Sequence, residues 1–398
     1  MSDWRKVTLD QMGHISRGRS RHRPRNDARL FGGPYPLIQT GDIGSAGLYV
    51  TEYHQTYNED GLAQSKLWEK DTLCITIAAN IADTALLAFP ACFPDSIMGF
   101  TSFNDVANVK FVKYCFDVLQ RDCQQISQGA AQDNLSWEKL STILFPCPPI
   151  ETQNKIATIL SRYDSLIENY QKQIKLLEES AQRLYKEWFI DLRFPGHENT
   201  KIVDGVPEGW GKKMVTDIVT LLNGYAFKSA SFDDSGKYKI VTIKNVKDGA
   251  FDGGKVSCIK SIPERMPLHC KLEQGDILLS LTGNVGRVCM VVGDNFLLNQ
   301  RVAKLKSKYP AFTYCLFRNN DMFISINNLA NGAAQQNVSP IRIGELPLII
   351  ANIEILDSFE IIAWRMVSQI LYLSSQIYHL TEARDRLLPK LMSGEIEV

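Results

Sequence analysis

The chain repeats itself at an offset of about 203 residues, and this limits what it can fold into. Gly129-Ala130-Ala131-Gln132-Asp133-Asn134-Leu135-Ser136 returns as Gly332-Ala333-Ala334-Gln335-Gln336-Asn337-Val338-Ser339, with six of eight positions identical. Trp4 and Gly18 are echoed by Trp210 and Gly224, and Tyr35-Pro36-Leu37-Ile38 by Tyr238-Lys239-Ile240-Val241. Asp71-Thr72-Leu73-Cys74-Ile75 is echoed by Asp276-Ile277-Leu278-Leu279. A unit of roughly 200 residues is too long for a solenoid repeat. Two copies of a whole domain are implied, with pseudo-two-fold symmetry and two similar but diverged sites.

Each copy closes on a heptad. In the first copy the apolar positions are Ile156, Leu160, Tyr163, Ile167, Tyr170, Ile174, Leu177, Ala181, Leu184 and Trp188, in steps of four and three. That is a period of about 3.5, the seam of a coiled coil. Glu168, Lys172, Lys175, Glu178, Glu179 and Lys186 fall between the seam positions and read as a solvated face. The second copy gives Phe359, Ala363, Met366, Ile370, Leu373, Ile377, Leu380, Arg384, Leu387 and Leu391. Only Arg384 breaks the apolar rule; its stem can cover the seam while its charge reaches solvent.

Prolines announce both helices: Pro146, Pro148 and Pro149 before the first, Pro340 and Pro347 before the second. Thr152 is a candidate cap, and Pro195-Gly196 ends the first helical region. Two matched helices most simply pair antiparallel with each other; packing of each on its own domain is the alternative. At ~1.5 Å per residue, about 30 helical residues span on the order of 45 Å.

The expected organisation is a globular unit over 1–150, a helix over 151–195, a second unit over 196–350 and a second helix over 351–398. Asp71–Ile77, Gly275–Leu281 and Tyr238–Lys244 read as strands, the first two fully buried. The fold class is α+β: two repeated mixed α/β units separated by a two-helix antiparallel coiled coil.

Familiar catalytic machinery is missing. There is no phosphate loop of the Gly-x-x-x-x-Gly-Lys-Ser/Thr type, no Asn/Asp-Pro-Pro-aromatic signature, no Glu-x-Lys tripeptide and no Gly-x-Ser-x-Gly elbow. The six histidines and nine cysteines show no metal-ligand spacing. The cysteine usage fits a reduced cytoplasmic protein. No apolar run is long enough to span a membrane, and the N-terminus has no secretory h-region.

Binding chemistry is present. Arg17, Arg19, Arg21, Arg23 and Arg25 alternate, and would share one face if extended, a comb for phosphates or base edges. A solvated basic loop is the alternative. The matching place in the second copy carries Tyr225 and Lys228. Lys304, Lys306 and Lys308 alternate in the same way, and Asn284 and Arg287 flank a glycine-bearing turn.

Gln132, Asn134, Gln335 and Asn337 carry groups that can read adenine edges. A structural turn is the favoured alternative for them, because segments that read different sequences should diverge and this one is the best preserved. The chain has 44 basic and 44 acidic residues, so bulk charge cannot hold nucleic acid. The balance is uneven: 196–350 carries 19 basic and 14 acidic residues, against 14 and 16 over 1–150.

These segments together resemble the specificity subunits of type I restriction–modification systems. The resemblance rests on Pro148-Pro149-Ile150-Glu151-Thr152-Gln153-Asn154-Lys155-Ile156-Ala157, on Trp188-Phe189 and Phe194-Pro195-Gly196, and on Val206-Pro207-Glu208-Gly209-Trp210. Gly224–Ser229 and Thr282–Gly286 add to it. It implies two target recognition domains, each reading half of a bipartite double-stranded DNA site. It implies docking of two modification (methyltransferase) subunits and of restriction (translocase–nuclease) subunits. S-adenosylmethionine, ATP and Mg would sit in those partners, with no cofactor, metal or catalytic residue in this chain.

Two departures stand out. The second helix opens Ile353-Glu354-Ile355-Leu356, without the glutamine of the first, and the first loop is rich in arginine. The competing readings are the same reader in a methylation-only system, a self-sufficient DNA methyltransferase or nuclease with an unrecognised site, and a purely structural dimeriser.

Overall fold

Leu73–Thr76 and Ile277–Ser280 are strands buried at every position. Each lies between two apolar layers, so its side chains are buried alternately on opposite faces. Leu73 and Ile75 belong to one cluster and Cys74 to another; Ile277 and Leu279 belong to one and Leu278 to another. This is why both segments read as continuous apolar runs rather than alternating ones.

The computed structural model describes residues 4–78, 81–127, 135, 137–254, 256–330 and 337–398. It forms two compact units, 1–169 with 380–398, and 170–379.

In the first unit the main sheet runs Gly13–Arg17, Ile97–Ser102, Leu73–Thr76, Thr84–Leu87, Tyr49–Val50. All its pairings are antiparallel except the last. A second sheet runs Gln55–Tyr57, Phe31–Leu37, Ala91–Cys92, Leu67–Trp68. Arg5–Val7 pairs with Phe145–Cys147.

The second unit has the same plan. Its main sheet runs Thr220–Asn223, Val302–Lys306, Ile277–Ser280, Val288–Met290. Its smaller sheet runs Ser257–Ile259, Tyr238–Val241, Phe296–Leu298, and Gly211–Met214 pairs with Pro347–Ile350. Apart from one further edge strand in each sheet of the first unit, Tyr49–Val50 and Leu67–Trp68, the order matches, down to the one parallel pairing in each smaller sheet. The repeat in the sequence is a repeat of topology.

Two long helices complete the chain: α1 (Ile150–Tyr185) has 36 residues and α2 (Ile353–Met392) has 40, both longer than the span expected from the heptads. α1 starts directly after Pro149, so Thr152 lies inside its first turn and does not cap it. α2 is capped instead by Asn352, whose Oδ1 accepts the Ile355 N–H at 3.0 Å. α1 runs on through one π-turn, Lys186–Ile190. None of the twenty seam positions is exposed.

In the first unit Ile156 and Leu160 of α1 share a core with Leu391 and Met392 of α2. In the second, Trp188 lies 5.7 Å from Phe359. Early residues of α1 thus meet late residues of α2 in one unit, and late meet early in the other, as an antiparallel pair requires.

Two positions depart from the heptad reading. Arg384 divides its charge between an exposed and a buried carboxylate: Nη2 pairs with Asp385 at 2.8 Å, and Nη1 donates to Asp164 Oδ1 at 2.6 Å. Glu178 is not on the solvated face: its carboxylate takes Arg318 and the Tyr314 hydroxyl.

The glutamine peculiar to the first helix has a structural task. Gln153 is fully buried. Its amide donates to the carbonyls of Val106 and Pro148, both at 2.9 Å, and accepts from Asn108 N at 3.0 Å. The residue 203 positions on, Leu356, is equally buried but apolar. It joins its unit's hydrophobic core directly, so no hydrogen bonds are needed there.

Candidate nucleic-acid interface

In the second unit, four segments meet at one end of the main sheet. Asn223 ends its strand, Gln300-Arg301 leads into the neighbouring one, Leu281-Thr282 leaves the central one, and Asn337–Pro340 closes the side. They line an open cleft of about 370 Å³. Gly224 permits the approach: a Cβ there would lie 2.0 Å from the Asn299 carbonyl oxygen. The backbone is then stitched in both directions, Tyr225 N to Leu298 O at 2.9 Å and Gln300 N to Tyr225 O at 3.0 Å.

Asn337 is a tie. Its Oδ1 accepts the Thr282 hydroxyl at 2.9 Å, and Val338 N donates to Leu281 O at 2.9 Å. In the first unit Leu135 N donates to Ile77 O at 3.0 Å, the same docking. For Asn337 the structural-turn reading therefore has a physical basis. Gln132, Asn134 and Gln335 lie outside the described residues.

The first unit has a matching cleft of about 300 Å³, lined by Ile15, Ser16, Arg17, Ile77, Met98, Trp137 and Glu138. Gly18 plays the part of Gly224, its Cβ position lying 2.2 Å from the Pro94 carbonyl oxygen. The arginines do not form a straight comb. The strand ends at Arg17; beyond Ser20 the chain bends and turns through 22–26.

Asp95 gathers much of the loop. Arg17 Nε donates to its carbonyl, Arg25 pairs with its carboxylate at 2.5 Å, and Arg23 approaches to 3.9 Å. Arg19 Nε donates to Ser65 O at 2.8 Å. Arg21 keeps a guanidinium without a protein partner among the described residues. Asp27 holds the far end: the Arg29 guanidinium, then the Arg29 N–H, then His22 keep its carboxyl below the usual range. All five arginines stay exposed, but as a folded cluster.

The profile of the type I restriction modification DNA specificity domain matches residues 1–179 and 207–362, one match for each copy of the repeat. The chain belongs to this family. It is similar along its whole length to the MjaIX specificity subunit of Methanocaldococcus jannaschii, at 25% identity and covering 94% of that protein. It is 22% identical to the HindI specificity subunit of Haemophilus influenzae, with both chains fully covered. A crystal structure of the S subunit from M. genitalium superposes with a TM-score of 0.62 at 16% identity, covering 98% of this chain and 96% of that one, and shows the same fold.

Within this specificity-domain chain, the other second-unit candidates separate by place. Asn284 and Arg287 lie in the hairpin at the cleft end of the sheet; Asn284 is exposed and Arg287 half-buried. Tyr225 meets Phe227 edge-on at 5.1 Å, and Lys228 beside them is exposed.

The lysine row does not hold together. Lys304 pairs with Asp276 at 2.7 Å, both side chains about 15% exposed, so it is a structural ion pair. Lys306 ends the strand that Arg301 leads into, about 16 Å away at ~3.3 Å per residue. Lys308 lies beyond it, against Tyr309 Oη at 3.2 Å and Asp357 at 3.6 Å.

Asn223, Gln300 and Arg301 were not singled out by the sequence. For Gln300 and Arg301 the one signal was position: three polar residues, Asn299-Gln300-Arg301, between two buried runs. Among the described residues no cluster of three or more His, Cys, Asp or Glu could hold a metal ion, and no helix is long and apolar enough to cross a membrane.

Proposed function

We propose that each unit reads one half of a bipartite double-stranded DNA site through its strand-end cleft, and that the chain supplies recognition rather than catalysis. The observation that carries this is the pair of clefts: the same backbone in both units, presenting different polar side chains. Family membership and full-length similarity to specificity subunits support it. Two modification subunits and the restriction subunits supply chemistry, and hold S-adenosylmethionine, ATP and Mg. The complex works in the cytoplasm. The domain limits 1–150, 151–195, 196–350 and 351–398 describe the parts that would be exchanged between such proteins.

The deciding experiment maps DNA methylation in cells with and without this gene, its modification subunit present in both. A two-part motif should appear only with the gene. Methylation by the purified chain alone would favour a self-sufficient enzyme and overturn the proposal.

The long helices would set the distance between the two half-sites. Inserting one heptad in each should lengthen the unread spacer by about three base pairs, since seven residues add ~10 Å. Methylation mapping reads this directly, and an unchanged spacer would refute it.

A further inference from the structure

Backbone hydrogen bonds align the two clefts residue by residue. Ile97 N donates to Pro94 O at 3.1 Å and Val302 N to Asn299 O at 3.0 Å. Ile77 N donates to Ser96 O and Leu281 N to Arg301 O, both at 3.0 Å. Gly18 and Gly224 press on Pro94 and Asn299 respectively. Asp95 therefore stands where Gln300 does, Ser96 where Arg301 does, and Arg17 where Asn223 does. The main chain at these positions has one fixed structural job, while the side chains differ in charge and chemistry.

In the second unit these side chains are an amide, an amide and a guanidinium. Asn223, Gln300 and Arg301 are all exposed, and none makes a side-chain hydrogen bond or ion pair with protein among the described residues. Their backbones are pinned on both sides, so the side chains are presented from a rigid frame. Asn and Gln match the N6/N7 edge of adenine, and Arg matches the O6/N7 edge of guanine. In the first unit the same place is organised differently, with Asp95 gathering arginines. A duplicated reader would diverge at such positions, where the frame is kept and the reading group is free to change.

We infer that Gln300 and Arg301, with Asn223 beside them, are the specificity-determining residues of the second unit, reading base edges in the major groove. This rests on the reading that the units bind DNA. It places base recognition at the turn before Val302–Lys306, and not on the lysines that follow.

The test uses the full chain assembled with its modification subunit, and maps methylated sites on genomic double-stranded DNA. Gln300→Ala and Arg301→Ala should each relax one or two adjacent base pairs of one half-site, with discrimination there falling roughly tenfold or more. Arg301→Lys keeps the charge but loses the bidentate fork, and should relax the same position. The other half-site should be unchanged, and Lys306→Ala should leave the motif intact.

An unchanged motif in the Gln300 and Arg301 variants would overturn the assignment. So would an even loss of binding across all sequences with a shallower salt dependence, the mark of phosphate contact. A lowered melting temperature with both half-sites blurred would also overturn it, as the mark of a structural role. If the unaltered complex yields no motif at all, the DNA-reading function fails instead.

Discussion

Arg318→Met should cost the second unit about 3 kcal/mol, the order expected when one partner of a largely buried ion pair is removed. Arg318 ends the helix Pro310–Arg318, and its side chain is only 14% exposed. Its guanidinium reaches the Glu178 carboxylate on α1 and the Asp248 carboxylate on a loop. Glu178, 15% exposed, also takes the Tyr314 hydroxyl. Burial by itself would lower the Arg318 pKa, but Glu178, Tyr314 and Asp248 together hold it above its usual value. Burial, then Glu178, pushes the Tyr314 phenol well up, so it stays a donor.

Methionine would leave Glu178 with one hydrogen bond and no cation. Its apolar stem keeps most of the packing, so the loss isolates the charge. With two units in the chain, global unfolding is not a single transition. Amide exchange over 310–330 is therefore the better measure. Protection there should fall by about a hundredfold, and unchanged protection would show that the pair holds nothing.

The sequence disclosed what is local or periodic. The heptad steps from Ile156 to Trp188 and from Phe359 to Leu391 gave both helices, because burial along a helix repeats every 3.5 residues wherever its partner lies. The buried strands were legible because Leu73–Thr76 and Ile277–Ser280 are covered on both faces. One echo of the repeat, Gly18 and Gly224, was legible because the same close backbone approach at both demands the same small residue.

Pairings set by the fold over long separations stayed hidden. Asp95 bends the arginine comb from 70 residues beyond Arg25. Asp276 occupies Lys304 from 28 residues away, and Glu178 meets Arg318 across 140. A charge that alternates in sequence is not a row in space when such partners claim some of its members. The cleft residues were missed for a related reason: Asn299-Gln300-Arg301 reads as an ordinary polar turn until Gly224 is seen pressed against it.

The largest effect should come from Arg384→Met, because it repairs the seam and still destabilises the first unit. Methionine suits the 4-3 apolar pattern, and the matching position of α1, Ala181, is buried and apolar. Asp164 makes the difference. It is 8% exposed, and Arg384 is its cation at 2.6 Å; its other oxygen takes the Tyr114 hydroxyl. Without Arg384 a buried carboxylate is left unpaired, at a cost of about 3–5 kcal/mol. Asp164→Leu in the same chain should recover most of that by removing the stranded charge. It would leave the buried Tyr114 hydroxyl without an acceptor, worth about 1–3 kcal/mol. Adding Tyr114→Phe should bring stability back near the starting value, since replacing every member of a buried polar network by apolar groups of similar size is close to neutral. Urea denaturation of the full chain, followed through the first unit, should rank the single variant lowest and the triple highest. A triple variant as unstable as the single would mean that packing around residue 384, and not the unpaired charge, is what the arginine protects.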